Sequence, residues 1–589
     1  MNHFNFNEEQ LEAINYARGN CAVFATAGSG KTAVIVEHVH KLITKNRAPQ
    51  NSILVLAFNA EAVNLLKQKI HTEYGYKDVK VKTFHSLGYH ILCRHSSGKI
   101  RVLSDQDKKF YISRILLEQN EPFDRENTNA VSTAISYYKN MNIPVDDIPD
   151  YTHRKIYREY EKVKQESMCY DFDDLLEKSV QYLKHYTSLK HRFSYKYIIV
   201  DEAQDINYHQ MEILKALNKE RRLFMVGDTL QGIYGWRGSD SKHILDFLRE
   251  NKTSKIIQMN KNYRCAPEIV AYANNFAQMM DITKSGFYTS PEATKPAGGL
   301  VSVKQCTDVE EEANIICKIY KKKKNDECMA VLARTNSQLF VLNTLLFKKG
   351  IPVNYCDNKK ISDYPVVRTV ISLLRLVIDS SDNKAFADIA KTCPKLLDPA
   401  CTVYLKRINS SNLFQAAVDF SKNDSRQKND LLSFVSFINK LKQADYKKVS
   451  SYIKRISNDL KLEEYFNKRN DSHQEKDTAS DILASMSAIA GSCKTMKEFL
   501  SLLENTKSNK NGIKLMTIHK SKGLEFDTVV ISDVCNGILP HKNTENIEEE
   551  KRLFYVACTR AKNALHILSP KLICGEQTEI SPFIEGSLK

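Results

Sequence analysis

The chain has 589 residues, enough for roughly four globular units at about 150 residues each. Its composition, with 42% hydrophobic and 26% charged residues, excludes a disordered, a collagen-like and a disulfide-scaffold protein. Lysine and arginine outnumber aspartate and glutamate by 86 to 70, a net charge of +16. This balance favours polyanionic partners, and a basic enzyme that binds no nucleic acid is the open alternative on charge alone.

Cysteine usage and the N-terminus indicate where the protein works. The 14 cysteines include no C-x-x-C pair, so we expect reduced thiols in a cytoplasmic protein rather than a metal finger or a disulfide framework. The N-terminus has no basic region followed by an apolar stretch, so no secretory signal is expected. We also expect no membrane span, because no run of about 18 apolar residues occurs.

Short apolar runs alternate with amphipathic segments in four stretches of the chain, a pattern that predicts parallel sheets covered by helices. The predicted strands are Cys21–Thr26, Ile53–Phe58, Tyr197–Val200, Leu223–Val226, Leu300–Val303, Met329–Ala333, Ile513–Ile518, Thr528–Ser532 and Leu565–Ser569. The predicted helices are Lys31–Thr44, Tyr208–Asn218, Val309–Lys322, Asn336–Lys349 and Glu548–Lys562. Residues 96–190 and 366–509 are helical in pattern. The chain is therefore expected to form two α/β regions, each interrupted by a mostly helical insertion.

A glycine-rich loop follows the first predicted strand. Ala25 to Thr32 reads ATAGSGKT, and such a loop at a helix N-terminus forms a concave site for phosphate from its backbone N–H groups. Gly28 and Gly30 permit a backbone that side chains would block. Lys31 is predicted to reach the β- and γ-phosphates, and Thr32 to offer its hydroxyl to Mg²⁺. Ala27, Ser29 and the rest of the loop are the predicted contacts for ATP.

Two carboxylates end the buried strand Tyr197–Val200. Asp201 is expected at the carboxyl edge of the sheet, where it can hold Mg²⁺, and Glu202 is the expected acceptor of the attacking water's proton. An acidic surface turn is the alternative if the segment is taken alone. Together with the Lys31 loop, the two motifs predict hydrolysis of a nucleoside triphosphate.

Further segments follow in an order that resembles superfamily 1 helicases of the UvrD/Rep type. They are FNEEQ (6–10), TFHSLG (83–88), DEAQD (201–205), GDTLQGIYGWRG (227–238), NYR (262–264), TIHKSKGLEF (517–526) and YVACTRAK (555–562). The resemblance implies two RecA-like P-loop domains. The first would span 1–95 and 191–263 with insertion 96–190, and the second 264–365 and 510–589 with insertion 366–509.

The resemblance also implies roles for residues around the nucleotide. Gln10 would contact the adenine edge, Tyr263 would stack on the base and Glu525 would contact the ribose. Gln231 would sense the γ-phosphate and position water. Arg264 and Arg560 would supply the guanidinium groups that a phosphoryl-transfer site needs, with Arg560 crossing from the second domain.

Proteins bind single-stranded nucleic acid with aromatic side chains that stack on the bases along a basic groove. Trp236, the only tryptophan, and Tyr234 are the first candidates, with Arg237 beside them. Phe58 is a second platform, and core packing is the alternative for both Phe58 and Trp236. The resemblance adds three DNA contacts, Asn59, His85 and His519. In YDFDDL (170–175), a helix-start cap is a better interpretation of the carboxylates than a metal site.

The sequence therefore predicts an ATP-dependent DNA helicase that moves 3′→5′ on single-stranded DNA and opens duplex at junctions, in repair, replication or recombination. Polarity and DNA rather than RNA come from the resemblance. The alternative is a DNA-stimulated ATPase subunit that serves a partner nuclease, because Cys356 to Tyr364 (CDNKKISDY) replaces the glycine-rich entry of the second insertion. A small-molecule P-loop kinase is disfavoured, since it has no use for Tyr234 or the later motifs.

Overall fold

The computed structural model describes residues 5–587 apart from 97, 122–124, 221, 236–241, 285–287, 325, 357–360, 394–395, 398–411, 421–427, 445–447, 468–477, 506–508, 545 and 574. Within these residues the chain forms two large parallel sheets. We call the sheet of the N-terminal half with its covering helices the first lobe, and that of the C-terminal half the second lobe. The predicted α/β fold class is confirmed.

The first lobe is built on a six-stranded sheet. Its half of the chain contains β1 Cys21–Ala25, β2 Ile53–Ala57, β3 Lys80–Thr83, β4 Arg101–Val102, β5 Cys169–Tyr170, β6 Tyr197–Val200, β7 Leu223–Gly227 and β8 Lys255–Met259. The order is β3-β2-β6-β7-β1-β8, and every pairing is parallel. Strands β1, β2, β6 and β7 are buried along their whole length, as expected for a sheet with helices on both faces.

The second lobe repeats this architecture. Its strands are β9 Lys261–Asn262, β10 Glu292–Ala293, β11 Leu300–Asp308, β12 Met329–Ala333, β13 Val353–Tyr355, β14 Ile513–Thr517, β15 Phe526–Ile531, β16 Ala561–Ile573 and β17 Glu576–Gln577. The parallel order is β11-β16-β15-β12-β14-β13, and β17 pairs antiparallel with β16. Strands β9 and β10 form a separate small ladder, as β4 and β5 do in the first half.

Helices cover both sheets and make up the insertions. Those of the first half are Glu8–Asn15, Lys31–Thr44, Ala60–Lys67, Phe84–His95, Asp105–Glu118, Arg125–Asn140, Tyr151–Glu166, Phe172–His185, Thr187–Arg192, Tyr208–Leu217 and Lys242–Glu250. Those of the second half are Pro267–Ala277, Val309–Lys322, Asn336–Lys348, Pro365–Ile378, Asn383–Thr392, Leu413–Phe420, Lys428–Gln443, Val449–Leu460, Leu462–Asn467, Ala479–Gly491, Met496–Asn505, Ile547–Cys558 and Pro582–Ser587.

The predicted strands and helices lie within a few residues of those observed, but the sequence did not predict the short two-residue strands or three edge strands of the main parallel orders, β3, β8 and β13. Strand β3 (KVKT) has one apolar residue, and β13 (VNY) is three residues long. Strand β8 (KIIQM) is half exposed at the sheet edge. An edge strand needs no continuous apolar run, because only part of it is buried. The domain limits given above stay predictions.

The first insertion is held by a buried cluster of charged side chains. Asp171 begins the helix Phe172–His185 and accepts a hydrogen bond from the backbone N–H of Asp174 at 2.8 Å, which confirms the predicted helix cap. The ammonium groups of Lys139 and Lys164 lie between the carboxylates, at 2.6 Å and 2.5 Å from Asp174 and 2.7 Å and 2.8 Å from Glu161. The three carboxylates are close enough to ligate a metal ion, but each of them already forms ion pairs with the ammonium groups of both lysines.

Removal of one of these lysines should loosen the insertion. Lys164→Ala removes one of the two ammonium groups that pair with the buried carboxylates, and breaking a buried pair in this way costs about 3–5 kcal/mol. Hydrogen–deuterium exchange of the amides in Phe172–His185 measures the local opening free energy, which should fall by that amount. The matched control is Lys162→Ala, an exposed lysine on the same helix as Lys164. Equal protection in the two variants would show that the cluster does not stabilise the insertion.

Candidate nucleotide and strand-binding site

The carboxyl edge of the first sheet brings the predicted motifs together. Because β6, β7 and β1 are neighbours, the segments that follow them meet at one edge, where α/β proteins bind their ligands. The glycine-rich loop follows β1, Asp201 follows β6 and Asp228 follows β7. Phe58 follows β2, on the far side of β6. The sheet therefore places the predicted phosphate loop and the predicted strand platform on one edge, with the carboxylates between them.

The glycine-rich loop has a backbone that requires glycine at two positions. Gly28 and Gly30 have φ of 70° and 82°, values that favour glycine. A Cβ atom on Gly28 would lie 2.6 Å from the Cβ of Arg264, so no side chain fits there. Among the described residues, the buried hydroxyl of Ser29 has no hydrogen-bond partner. Lys31 begins the helix and donates to the carbonyl of Ala25 at 3.3 Å. Ala27 is buried and Thr32 is half-buried on the first turn.

The two carboxylates after β6, the buried Asp201 and the half-buried Glu202, both interact electrostatically with Lys31. Burial raises the pKa of Asp201 to about 7; Glu202 adds to this rise, while Lys31 opposes it. Burial acts in the same direction on Glu202, but Lys31, Lys522 and Arg560 outweigh it, so the pKa of Glu202 lies below its ordinary value. Glu202 has a left-handed backbone, with φ of 50°, and its carboxylate accepts from Gln204 at 2.6 Å. Glu202 is therefore ionised and within reach of cations from both lobes.

These side chains fit a magnesium ion. Carboxylate and hydroxyl oxygens are the donors that Mg²⁺ prefers, and Asp201 and Thr32 offer one of each at the predicted phosphate loop. Asp201 is adjacent to Glu202, and burial together with the charge of Glu202 raises the pKa of Asp201. A divalent cation would balance that charge.

Arg560 crosses from the second lobe to the first. Its side chain is 1% exposed, and Nη2 donates to the side-chain oxygen of Gln231 at 2.8 Å. Nε and Nη1 donate to the carbonyls of Val556 and Leu524, each at 3.1 Å. Burial, followed by the charge of Arg264, lowers the pKa of Arg560 to about 10, so the guanidinium stays protonated at neutral pH. The predicted arginine of the second domain therefore lies at the interlobe cleft, held by its own lobe and directed at Gln231.

Gln231 is fixed on both sides. Its amide nitrogen donates to Asp228 at 2.6 Å, while its amide oxygen accepts from Arg560. Its backbone carbonyl accepts from Lys522 of the second lobe at 2.6 Å. The next residue, Gly232, accepts from Arg552 at 2.7 Å. The segment after β7 is thus a point at which the second lobe forms hydrogen bonds with the first.

Arg264, Tyr263 and Glu525 lie beside the glycine-rich loop. The backbone N–H of Tyr263 donates to the carbonyl of Gly28 at 3.0 Å, and its side chain is 40% exposed, so the ring is available for stacking. Arg264 donates to Glu525 at 2.8 Å and to the carbonyl of Thr559 at 3.3 Å. Glu525 also pairs with Lys562 at 2.9 Å. Its predicted ribose contact stays a prediction.

Gln10 has a role that the sequence did not predict. Its amide oxygen accepts from the backbone of Asn7 at 3.0 Å, and its nitrogen donates to the carbonyl of Ser29 at 2.9 Å. The side chain therefore closes a capping box on the helix Glu8–Asn15 and braces the glycine-rich loop. The predicted contact with adenine stays a prediction, and it must share the amide with these two bonds.

Two of the aromatic residues predicted to bind DNA stack on each other in the described part of the chain. The rings of Phe58 and Tyr234 are parallel to within 11°, with centroids 5.0 Å apart, and both residues are half-buried. Trp236 and Arg237 lie outside the described residues. Asn59 caps the helix Ala60–Lys67 by accepting from the N–H of Ala62 at 2.8 Å, so its side-chain oxygen already serves the helix.

The two predicted histidines lie on different lobes. His85 is on the first turn of Phe84–His95, where its ring meets Phe172 edge-on at 6.0 Å. His519 begins the short helix His519–Ser521 after β14 and is half-buried. Their strand contacts stay predictions. The sequence did not predict roles for Lys522 and Asp205, although both lie in the motifs named above. Their roles become apparent only from the residues that they contact in the folded chain.

Comparisons with known proteins agree with this geometry. Residues 6–252 match the family model of the UvrD/REP helicase N-terminal domain, and residues 257–571 match that of the UvrD-like helicase C-terminal domain. The chain belongs to the UvrD/Rep helicase family. It is 29% identical to YjcD of Bacillus subtilis over 98% of the chain and 80% of that protein. It is also 29% identical to the ATP-dependent DNA helicase Rep of Buchnera aphidicola, over 95% and 94%.

A third relative shows the same extent of similarity. The ATP-dependent DNA helicase PcrA of Staphylococcus epidermidis is 27% identical over 96% of the chain and 83% of that protein. The predicted family and enzyme class, a helicase of the UvrD/Rep type, are confirmed. None of the helices in the described part of the chain has the length and apolar character to cross a membrane.

The position of Arg560 generates a kinetic prediction. Arg560→Ala should lower the rate of ATP hydrolysis by about 10³-fold or more, because a guanidinium that stabilises the transferring phosphoryl group has effects of this size. Arg560→Lys keeps a charge but loses the planar fork, so it should recover only part of the rate. Steady-state hydrolysis with single-stranded DNA present measures both. An alanine variant that turns over at close to the wild-type rate would exclude Arg560 from the reaction.

Proposed function

We propose that this helicase binds ATP and Mg²⁺ at the carboxyl edge of the first lobe and uses hydrolysis to move 3′→5′ on single-stranded DNA, opening duplex at junctions. The observation that carries the proposal is the hydrogen bond from Arg560 to Gln231. This bond brings a buried cation of one lobe to the γ-phosphate side of the other. A nucleotide between the two lobes would thus be contacted by both.

The residues around the cleft divide the chemistry. The glycine-rich loop and Lys31 hold the phosphates, and Ser29 has a buried hydroxyl available for them. Mg²⁺, held by Thr32 and Asp201, would neutralise charge on the β- and γ-phosphates. Glu202, ionised and within the field of Lys31 and Arg560, accepts the proton of the attacking water. Gln231 orients that water.

Arginine residues stabilise the charge that spreads over the γ-phosphate oxygens. Arg560 approaches from the second lobe, while Arg264 lies beside the loop at Gly28. Because Arg560 belongs to a different lobe from Lys31, the energy of the contact depends on how far the cleft is closed. Loss of the γ-phosphate removes that contact, and the lobes can then separate. This is how hydrolysis becomes motion along the strand.

The strand would lie across the edge marked by Phe58 and Tyr234. This aromatic pair could bind DNA of any sequence, because every base has a face on which an aromatic ring can stack. The net charge of +16 favours a polyanion. DNA as the substrate and the 3′→5′ direction are supported by the resemblance, and the names of Rep and PcrA support DNA. We place the activity in replication, repair or recombination in the cytoplasm.

Unwinding of tailed duplexes tests the proposal. The protein with ATP and Mg²⁺ should separate a duplex with a 3′ single-stranded tail and leave one with a 5′ tail intact. Glu202→Gln should bind ATP and DNA but separate neither, because the proton acceptor is lost. Lys31→Ala should bind DNA without hydrolysing ATP. Release of the strand only from the 5′-tailed duplex would reverse the direction, and separation by Glu202→Gln would exclude ATP hydrolysis as the source of energy.

A further inference from the structure

Lys522 contacts more of the first lobe than any role described so far explains. It follows the short helix His519–Ser521 of the second lobe, and its side chain is 7% exposed. Its ammonium donates to the two carboxylate oxygens of Asp205 at 2.8 Å and 2.6 Å. It also donates to the backbone carbonyl of Gln231 at 2.6 Å. An ammonium has three N–H donors, so these contacts use its full capacity.

The same ammonium lies against the strand platform. Its nitrogen is 4.7 Å from the centroid of the Tyr234 ring, within the range of a cation–π contact. Tyr234 stacks on Phe58, and this pair is the described candidate for base stacking. One atom of the second lobe therefore contacts three features of the first. They are the end of the Asp201–Asp205 segment, the backbone of Gln231 and an aromatic ring of the strand side.

The charges fix this geometry. Asp205 is 1% exposed, and burial raises its pKa to about 6, with Lys522 acting in the opposite direction. The carboxylate is ionised at neutral pH and pairs with the ammonium of Lys522 from the other lobe at 2.6 Å, while Lys31 of its own lobe acts on its pKa in the same direction as Lys522 but more weakly. A shift of the second lobe must then either carry Asp205, Gln231 and Tyr234 with it or break the pair. Lys522 and Arg560 both contact the first lobe, so a relative motion of the lobes would change both contacts.

We propose that Lys522 is a positioning residue that links nucleotide-driven closure of the lobes to the Tyr234–Phe58 platform. When the cleft closes on nucleotide, Lys522 seats on Asp205 and on the carbonyl of Gln231 and holds the Tyr234 ring beneath its ammonium. When the cleft opens, the ring is released from the cation. Strand binding and nucleotide turnover thus influence each other through this side chain. The inference rests on the proposed function, since it needs a strand at Tyr234.

Hydrolysis with and without single-stranded DNA tests the role of Lys522. The wild type, Lys522→Met and Lys522→Arg are compared with oligo-dT as the probe. In Lys522→Met the ratio of stimulated to basal rate should fall by about tenfold or more, the size of a typical coupling between two sites. The KM for ATP should change by less than about threefold on the same scale. Lys522→Arg, which keeps a cation over the ring, should restore part of the ratio.

A matched control separates positioning from simple attraction of DNA. Lys520 is exposed, lies two residues away and donates to the carbonyl of Cys356. Lys520→Met removes the same charge and should keep the ratio. Equal loss in Lys520→Met and Lys522→Met would overturn the proposal, as would a fall of basal and stimulated rates in equal proportion. If oligo-dT does not stimulate the wild type, the proposed function fails instead.

A double variant distinguishes a loss of coupling from a loss of folding stability. Lys522→Met alone leaves a buried carboxylate unpaired, whereas Lys522→Met with Asp205→Asn removes both charges and should restore the thermal unfolding midpoint. The proposal requires that this double variant stay uncoupled although it is stable. Recovery of DNA stimulation together with stability would show that Lys522 serves folding alone, and would overturn the proposal.

Discussion

The structure depends on buried cations that the second lobe places against the carboxyl edge of the first. Asp201, Asp205 and Asp228 are buried there, and Glu202 is half-buried beside them. The first lobe contributes Lys31, and the second contributes Lys522 and Arg560. Charges of this kind are costly to bury without partners, so the two lobes are held together by electrostatics at the point where a nucleotide would bind. A site whose charge balance is shared between lobes responds to any ligand that changes that balance.

This arrangement gives the proposed nucleotide site and the proposed DNA-binding site a short physical connection along one edge of the sheet. The strand order places β6 and β7 between β1, which precedes the phosphate loop, and β2, which precedes Phe58. The segment after β7 contains Asp228 and Gln231 at one end and Tyr234 at the other. Three cationic side chains of the second lobe bind this segment, through Gln231 and Gly232. Only a few residues therefore separate the proposed site of ATP hydrolysis from the proposed DNA-binding platform.

The sequence predicted most of the strands and helices of the two sheets and several of the residues that meet at the candidate site, for reasons that particular residues make clear. Fully buried strands such as β12 are continuous apolar runs, and the loop before Lys31 has glycines at fixed spacing. Both features can therefore be recognised from the order of residues alone. The role of Lys522 could not be predicted, because it depends on contacts with Asp205 and Tyr234, hundreds of residues earlier. Gln10 was assigned to the base alone, since the capping bond from Asn7 depends on local geometry. Edge strands such as β3 lack the apolar run that the prediction used.

A structure of the protein with Mg²⁺, ADP and aluminium fluoride, the mimic of the transferring phosphoryl group, would show whether the two lobes share the nucleotide. Lys31 and the guanidinium of Arg560 should both lie within hydrogen-bond distance of the fluoride ligands, with the two lobes closed around them. A structure in which the mimic is bound and Arg560 remains remote from it, directed only at Gln231, would contradict the claim that the two lobes share the nucleotide.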